Sequence, residues 1–185
     1  MRKPYLALAL AVVLAAPLAA GTLAGVALSD SAKVGEQTLV LNGMGLRTKY
    51  SFKVYVAGLY LGAKTSDAAA VFAADAPRRM VMHFMRSVGP EKVCEGWDEG
   101  LEANTPHASA ELKKQFAQLC SWMPETEDGM ELVFTYTPGT GTAVTVAGQT
   151  KGTLPGKAFA DALLACWIGP KPGPGEDFKK ALLGG

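Results

Sequence analysis

Arg47 and Tyr55 carry the side chains in this chain that are best suited to holding an anion. Arginine offers a planar fork of N–H donors that matches a carboxylate or an enolate, and a tyrosine hydroxyl adds a further donor. Alternate side chains of a continuous strand share one face, which here would carry Arg47, Lys49, Ser51, Lys53 and Tyr55. Such a face is either a solvated outer surface or the floor of an anion site, and composition leaves both open.

An Asn-Gly pair predicts the turn that would precede this strand. Asn42-Gly43 follows the apolar run at 39–41, and both residues tolerate positive φ. We therefore expect residues 33–61 to form a strand, a hairpin turn at Asn42-Gly43 and one long second strand. The spacing Gly43-x-Gly45-x-Arg47 is not a dinucleotide-binding fingerprint, because that motif requires a third glycine and precedes a helix.

The rest of the chain mixes strands that alternate with period two and helices with apolar residues at helical spacing. Thr105-Pro106 has the pattern of a helix cap followed by proline in the first turn. Antiparallel strands combined with a central group of helices indicate an α+β fold with a largely antiparallel sheet. The predicted elements are a helix at 67–76, a strand at 78–86, helices at 90–102 and from 106, strands at 130–137, 142–147 and 149–153, and a helix at 157–168.

The N-terminus has the composition of a secretory signal peptide. Arg2 and Lys3 precede an apolar run at 6–18, and small residues follow it. We expect residues 1–21 to be this peptide, with cleavage after Gly21, Ala24 or Ala27. The mature protein would be periplasmic or secreted, and an uncleaved anchor is the alternative.

The mature chain is expected to be a single domain at 33–185, with a short tail from about residue 170. No later segment is apolar for the ~20 residues that a spanning helix needs, which predicts no stable membrane span after cleavage. Losing Arg2 and Lys3 changes 18 cations and 17 acids to 16 and 17. This near-neutral balance argues against nucleic acid binding, and nothing in the sequence sets the oligomeric state.

The three cysteines allow one disulfide in a secreted protein and leave one cysteine unpaired. Cys94 and Cys120 lie on consecutive predicted helices, whose antiparallel packing would favour their pairing. The alternative is three buried thiols that pack as small apolar residues. His83 and His107 lack metal-ligand spacing, and no cofactor motif or nucleophile elbow occurs, so we predict no metal and no cofactor.

The run Gly43-Met44-Gly45-Leu46-Arg47 and the strand at 52–61 resemble the chalcone isomerase-like family. The form seen here is similar to the bacterial secreted branch of that family, and the resemblance covers roughly residues 33–170. It implies a curved, largely antiparallel sheet with a layer of helices on one side, an open-faced β-sandwich. A ligand cleft would lie between the two layers.

In the family's enzymes, a phenolate attacks an enone, and an arginine after the glycines is the central cation. The resemblance places Arg47 at that position, and it keeps the family's helical lysine as Lys92. Tyr55 stands where the enzymes carry threonine, but most of their other donors are missing, because glycine stands at 89 and 96 and alanine at 160. Removing one oxyanion donor costs ~3 kcal/mol of catalysis, so the losses argue against isomerisation.

Other members of the family bind fatty acids without catalysis, through the same arginine and a tyrosine on the next strand. Arg47 with Tyr55 fits that pattern better than the enzyme pattern. We expect a small amphipathic ligand, a fatty acid or similar carboxylate, with Lys92 either at the cleft mouth or solvated. One alternative is an intramolecular lyase, an isomerase with Arg47 as its electrophile. The other is a structural or partner-binding envelope protein whose cleft is filled by its own side chains.

Overall fold

The structure is a computed structural model that describes residues 19–185, so most of the predicted signal peptide lies outside the described residues. It contains nine strands and five helices within that range. The strands are β1 (Ala19–Leu23), β2 (Val26–Ser29), β3 (Ser31–Val34), β4 (Gln37–Lys49), β5 (Phe52–Leu61), β6 (Arg78–Phe84), β7 (Glu131–Thr137), β8 (Gly141–Val146) and β9 (Gln149–Leu154). The helices are α1 (Ala68–Ala73), α2 (Pro90–Asn104), α3 (Ala110–Ser121), α4 (Lys157–Ile168) and α5 (Glu176–Leu182).

Strands β3 to β9 form one seven-stranded antiparallel sheet in which every strand pairs with its neighbour in the chain. Helix α1 connects β5 to β6, helices α2 and α3 connect β6 to β7, and α4 and α5 follow β9. Short turns join the other neighbouring strands, as antiparallel pairing allows. The predicted α+β class with a largely antiparallel sheet is confirmed.

Each face of the sheet has its own apolar core. On the helix face, Leu59 and Phe84 pack with helix residues such as Phe116 and Phe159. On the opposite face, the β1–β2 hairpin covers the sheet, and only 7% of the surface of Val26 is exposed to solvent. The packed part of the chain therefore extends to the N-terminal side of residue 33.

The predicted hairpin turn at Asn42-Gly43 is wrong. Strand β4 runs through both residues, with a register shift between Leu41 and Gly43, and the β4–β5 turn lies at Tyr50-Ser51. The reason is tertiary: the Asn42 side chain donates to the carbonyls of Thr65 at 3.1 Å and Leu182 at 2.8 Å. It also accepts from the Thr65 N–H at 2.8 Å, so a buried amide that looked like a turn residue is satisfied inside the sheet.

The predicted start of the second central helix at Thr105-Pro106 is also wrong. Thr105 is the C-cap of α2, and its N–H donates to the Leu101 carbonyl at 2.7 Å. The cap of α3 is Ser109, whose hydroxyl accepts from the Leu112 N–H at 3.1 Å. Threonine and serine both serve as N-caps, and here the serine has helical residues following it.

Helices α2 and α3 are joined by a disulfide between Cys94 and Cys120, whose Cα atoms are 5.6 Å apart. Cys166 is a free thiol, buried on α4. A Cβ on Gly100 would lie 2.7 Å from its Sγ atom, so the missing side chain at 100 allows α2 and α4 to pack closely.

Candidate functional site

Arg47 and Tyr55 lie directly opposite each other on two neighbouring strands. Arg47 is near the end of β4, Tyr55 is near the start of β5, and their Cα atoms are register partners. Paired residues of antiparallel strands project from the same face, with Cβ atoms ~5 Å apart. Sequence reasoning placed both on one face of a single strand, whereas the Tyr50-Ser51 turn brings them together from two strands.

The hydroxyl of Tyr55 is oriented by a tryptophan of α4. The Trp167 indole Nε1–H donates to the Tyr55 hydroxyl oxygen at 3.1 Å. The phenol ring packs against Phe84 and Phe178, with ring centroids 5.7 and 6.0 Å away. Because the oxygen accepts from the indole, the phenolic proton remains available to a second acceptor.

Burial raises the pKa of Tyr55 to about 12, although the Trp167 hydrogen bond and the charge of Arg47 both lower it. The phenol therefore stays protonated over the whole physiological range and acts as a donor rather than as an anion. This makes Tyr55 suitable for binding a carboxylate and unsuitable as a general base at neutral pH.

Arg47 is half-buried and has no carboxylate partner within residues 19–185. A partly buried cation without a counterion attracts an anion, and the guanidinium fork binds planar oxyanions with two hydrogen bonds. Tyr55 is the register partner of Arg47, and the charge of Arg47 acts on its phenol, so the pair places a donor and a positive charge on the helix face of the sheet.

Helix α5 lies directly on the strand that carries Arg47, and two glycines make this approach possible. A Cβ on Gly43 would overlap the Ala181 carbonyl oxygen and lie 2.7 Å from that of Leu182. A Cβ on Gly45 would lie 2.9 Å from the ring of Phe178. Gly43 and Gly45 thus form a side-chain-free surface of β4 on which α5 packs, and Arg47 lies at the end of this surface.

Lys92 lies in the first turn of α2, and its side chain is 68% exposed. Its ammonium forms an ion pair with Glu95 at 2.5 Å, and that hydrogen bond raises the pKa of Lys92. The structure therefore places Lys92 at the surface rather than inside the Arg47–Tyr55 site. Its contact with a ligand stays a prediction.

The three positions where the resemblance implied lost catalytic donors are spread over two helices. Gly89 is the N-cap of α2, and Gly96 lies on the exposed face of that helix. Ala160 is buried on α4 and presents a methyl group to an interior cavity. None of the three supplies a side-chain donor to the Arg47–Tyr55 pair.

Two cavities lie further along the sheet, and neither is lined by Arg47 or Tyr55. One has a volume of about 20 Å³ and the other about 200 Å³, and Arg78 lines both. The smaller volume fits one water-sized molecule. It adjoins two buried atoms that lack a hydrogen-bond partner, Arg78 Nη1 and Thr142 Oγ1.

Among the residues whose burial the structure describes, Arg78 is the buried cation, with 5% of its surface exposed. Its guanidinium forms an ion pair with Asp161 and stacks over Tyr136, 4.8 Å from the ring centroid. Lys157 also pairs with Asp161, at 2.6 Å. The sequence pattern predicts only that Arg78 begins the strand at 78–86, because nothing in the local pattern reveals a carboxylate 83 positions away.

Trp167 and Phe178 are the site residues that sequence reasoning missed. Trp167 follows the apolar pattern of α4, and Phe178 lies in the predicted short C-terminal tail. Helical spacing predicts that both side chains are buried, but it does not identify the residues that they contact. The only usable signal is the pair of glycines at 43 and 45, which predicts that some backbone or ring must approach this strand.

No group of three or more metal-binding side chains occurs in the part of the chain that the structure describes. Within the same residues, every helix is too short or too polar to cross a membrane.

The chain is similar to known proteins in both its fold and its sequence pattern. Comparison with curated proteins finds no match. The fold is similar to the crystal structure of an Arabidopsis thaliana fatty-acid binding protein, with a TM-score of 0.63 and 17% identity. That alignment covers 86% of this chain and 92% of the plant protein. The family model described as chalcone isomerase-like matches residues 20–184, and the chain therefore belongs to the chalcone isomerase-like family.

Proposed function

We propose that this protein is a non-catalytic binder of a fatty acid or a similar amphipathic carboxylate. The observation that carries the proposal is the unpaired guanidinium of Arg47 opposite a tyrosine whose proton is free. The similarity to a fatty-acid binding protein supports the same ligand class.

Each of the two side chains would have a distinct part in head-group binding. The Arg47 fork would donate to both carboxylate oxygens, and the Tyr55 hydroxyl would donate to one of them. Hydrogen bonds to charged groups contribute ~1.5–3 kcal/mol, whereas removing a neutral donor usually costs ~1 kcal/mol. Arg47 should therefore contribute most of the affinity for the head group, and Tyr55 should contribute a smaller part.

An intramolecular lyase is less well supported by the same geometry. A cyclisation needs donors around the developing oxyanion and a base that works near neutral pH. Here the pKa of Tyr55 is about 12, and the enzyme donor positions carry Gly89, Gly96 and Ala160. A single arginine with a neutral phenol is sufficient for holding a carboxylate.

The close packing beside the site favours a second candidate, a structural or partner-binding protein. Phe178 occupies the space between Gly45 and Tyr55 that an alkyl chain would take. Binding of a fatty acid therefore requires α5 to move away from β4. The tests below separate a site that opens from one that stays filled.

We also propose that the protein is exported to the periplasm or secreted, as a member of the secreted bacterial branch. The Cys94–Cys120 disulfide supports this, because such bonds persist in oxidising compartments. Cleavage after Gly21 would keep most of the β1–β2 hairpin, whereas cleavage after Ala27 would remove β1 and Val26. The intact mass of protein from a periplasmic extract should match cleavage no later than Gly21; a cytoplasmic protein of full-length mass would contradict export.

The decisive experiment compares fatty acids with fatty alcohols of the same chain length, by fluorescence titration and native mass spectrometry. The wild type should bind the acid much more tightly than the alcohol. Arg47→Ala should weaken acid binding about 10- to 100-fold and leave alcohol binding unchanged, because only the carboxylate uses the charge. Tyr55→Phe should weaken acid binding about 3- to 10-fold.

Lys113→Gln is the matched control, since it removes one exposed cation from α3. It should leave acid binding at the wild-type value. Lys92→Gln decides whether the exposed lysine contributes at the cleft mouth. Equal affinity of the wild type and Arg47→Ala for the acid would overturn the assignment, and no binding of either ligand would favour the structural alternative.

A further inference from the structure

The tip of the β4–β5 hairpin exposes two aromatic rings that face no apolar partner. Tyr50 is 85% exposed and Phe52 is 60% exposed, and these are the large apolar side chains exposed within residues 21–185. Single exposed apolar residues are ordinary, but two at one protruding turn form a local patch. This tip patch comprises Tyr50 and Phe52.

The tip is held in a conformation that its own sequence disfavours. Tyr50 and Ser51 have φ angles of 51° and 67°, in the left-handed region. Asparagine and glycine are the favoured residues at both central positions of such a two-residue hairpin turn. A tyrosine there is uncommon and strained, and strain of this kind clusters at functional sites.

Cations surround the tip patch. Lys49 lies 5.9 Å from the Tyr50 ring centroid, and the Arg86 guanidinium lies 4.9 Å from that of Phe52. Lys53 is exposed one position beyond Phe52. None of these three cations has an ion-pair partner among the described residues, so their charge is directed to solvent.

The acidic side chains at this end of the sheet lie on α2 and in the segment 124–131, where Glu125 accepts from the Ser87 hydroxyl at 2.6 Å. Glu95 is paired with Lys92 at 2.5 Å, and the charge of Glu99 also acts on Lys92. Glu95 feels Lys49 only as a weaker influence on its lowered pKa, after Lys92 and burial. Lys49 and Arg86 lie against the two rings themselves, so the charges nearest to the rings are positive.

We propose that the tip patch and its three cations dock the protein on an anionic lipid bilayer. Aromatic side chains settle at the membrane–water interface, and lysine or arginine beside them is attracted to anionic lipid headgroups. The patch is small and protrudes at a turn, and its two rings lie against cations, which suits a bilayer surface better than the flat, mixed interface of a protein partner.

Docking at the tip would place the candidate ligand site close to the membrane. Lys49 pairs with Phe52 and Thr48 with Lys53, and the Arg47–Tyr55 pair comes next in the hairpin. An amphipathic carboxylate could then pass between the bilayer and the site over a short distance. Docking itself does not rest on the proposed fatty-acid binding, and the variants below separate the two.

Co-sedimentation with phosphatidylcholine vesicles, with and without phosphatidylglycerol, tests the proposal. The wild type should bind only the vesicles that contain phosphatidylglycerol, and salt should weaken this binding. Lys49→Gln/Lys53→Gln should reduce binding by roughly five-fold per cation. The control pair Lys113→Gln/Lys114→Gln removes the same charge from α3 and should leave binding unchanged.

The sharpest variant is Tyr50→Asn/Ser51→Gly, which gives the turn its favoured residues. It should raise the thermal unfolding midpoint and lower vesicle binding at least five-fold, an outcome that damage to the fold cannot produce. Phe52→Ser should also weaken binding. Tyr55→Phe should keep full vesicle binding even where it weakens fatty-acid binding.

Three results would overturn membrane docking. They are absence of wild-type binding, equal binding to both kinds of vesicle, and undiminished binding of Tyr50→Asn/Ser51→Gly. A control pair as damaging as Lys49→Gln/Lys53→Gln would equally refute a role for the tip, because net charge alone would then explain the attraction.

Discussion

Replacing Gly45 with alanine should destabilise the protein, and the loss should disappear when Phe178 is also replaced. A Cβ on Gly45 would lie 2.9 Å from two carbon atoms of the Phe178 ring, well inside ordinary contact distance. Gly45 does not occupy the left-handed region, so alanine fits its backbone and only the ring opposes it. The substitution thus isolates one contact between α5 and the sheet.

The expected magnitudes follow from packing. Gly45→Ala overfills a closed contact and should cost about 1–3 kcal/mol. Phe178→Ala removes a buried ring and should cost about 3–5 kcal/mol. In the Phe178→Ala background, Gly45→Ala should be neutral or stabilise by about 0.5–1 kcal/mol, because glycine weakens a strand interior. The coupling free energy between the two sites, the difference between these two effects of Gly45→Ala, should therefore be about 1–4 kcal/mol.

Urea unfolding of the wild type, the two single variants and the double variant gives this coupling directly. Gly62→Ala is the matched control, because a Cβ there meets nothing within 4 Å and the backbone accepts it. It should change the free energy of unfolding by less than about 0.5 kcal/mol. An equal cost for Gly45→Ala with and without Phe178 would show that α5 does not lie on this strand.

Three further properties can be measured on the same protein. Gly96→Ala should stabilise by about 0.5–1 kcal/mol in urea unfolding, because Gly96 is exposed inside α2 and has room for a Cβ. Reducing the Cys94–Cys120 disulfide, which joins residues 26 positions apart, should cost about 3.5 kcal/mol, seen as a lower urea midpoint with reductant. The contribution of Tyr55 to stability should be complete below pH 10 and be lost as pH rises towards 12, because its phenol loses its proton near pH 10 in the unfolded chain and near 12 in the folded protein. Unfolding curves across this range should show a smaller loss in Tyr55→Phe, and an equal loss would refute the assignment.

The elements with a clear period could be predicted from sequence. Helices α2 and α4 and the strands β6 to β9 carry regular apolar spacing, and their predicted positions agree with the structure within a few residues. The antiparallel α+β class follows from their order. These predictions are correct because the local periodicity and the burial of the same residues favour the same structure.

The failures occur where a distant partner decides the local structure. Asn42 looked like a turn residue, but its side chain bonds to the backbone of Thr65 and Leu182. The true turn at Tyr50-Ser51 has neither asparagine nor glycine, so local turn preferences could not locate it. The turn lies at Tyr50-Ser51 rather than at the predicted Asn42-Gly43, so Arg47 and Tyr55 are on different strands. They still lie on one face, because they are register partners.

Phe178 should affect stability and ligand affinity in opposite directions if the site opens. Its ring packs on Tyr55 and covers Gly45, so an alkyl chain beside Arg47 competes with α5 for the same surface. The apparent dissociation constant then equals the intrinsic one divided by the fraction of molecules with α5 displaced. Phe178→Ala raises that fraction, and we expect tighter fatty-acid binding from a less stable protein, measured by titration beside urea unfolding. Weaker binding together with lower stability would mean that Phe178 forms part of the ligand site rather than covering it. If neither the wild type nor Phe178→Ala binds a fatty acid, α5 is a permanent part of the core and the protein is a structural member of its family.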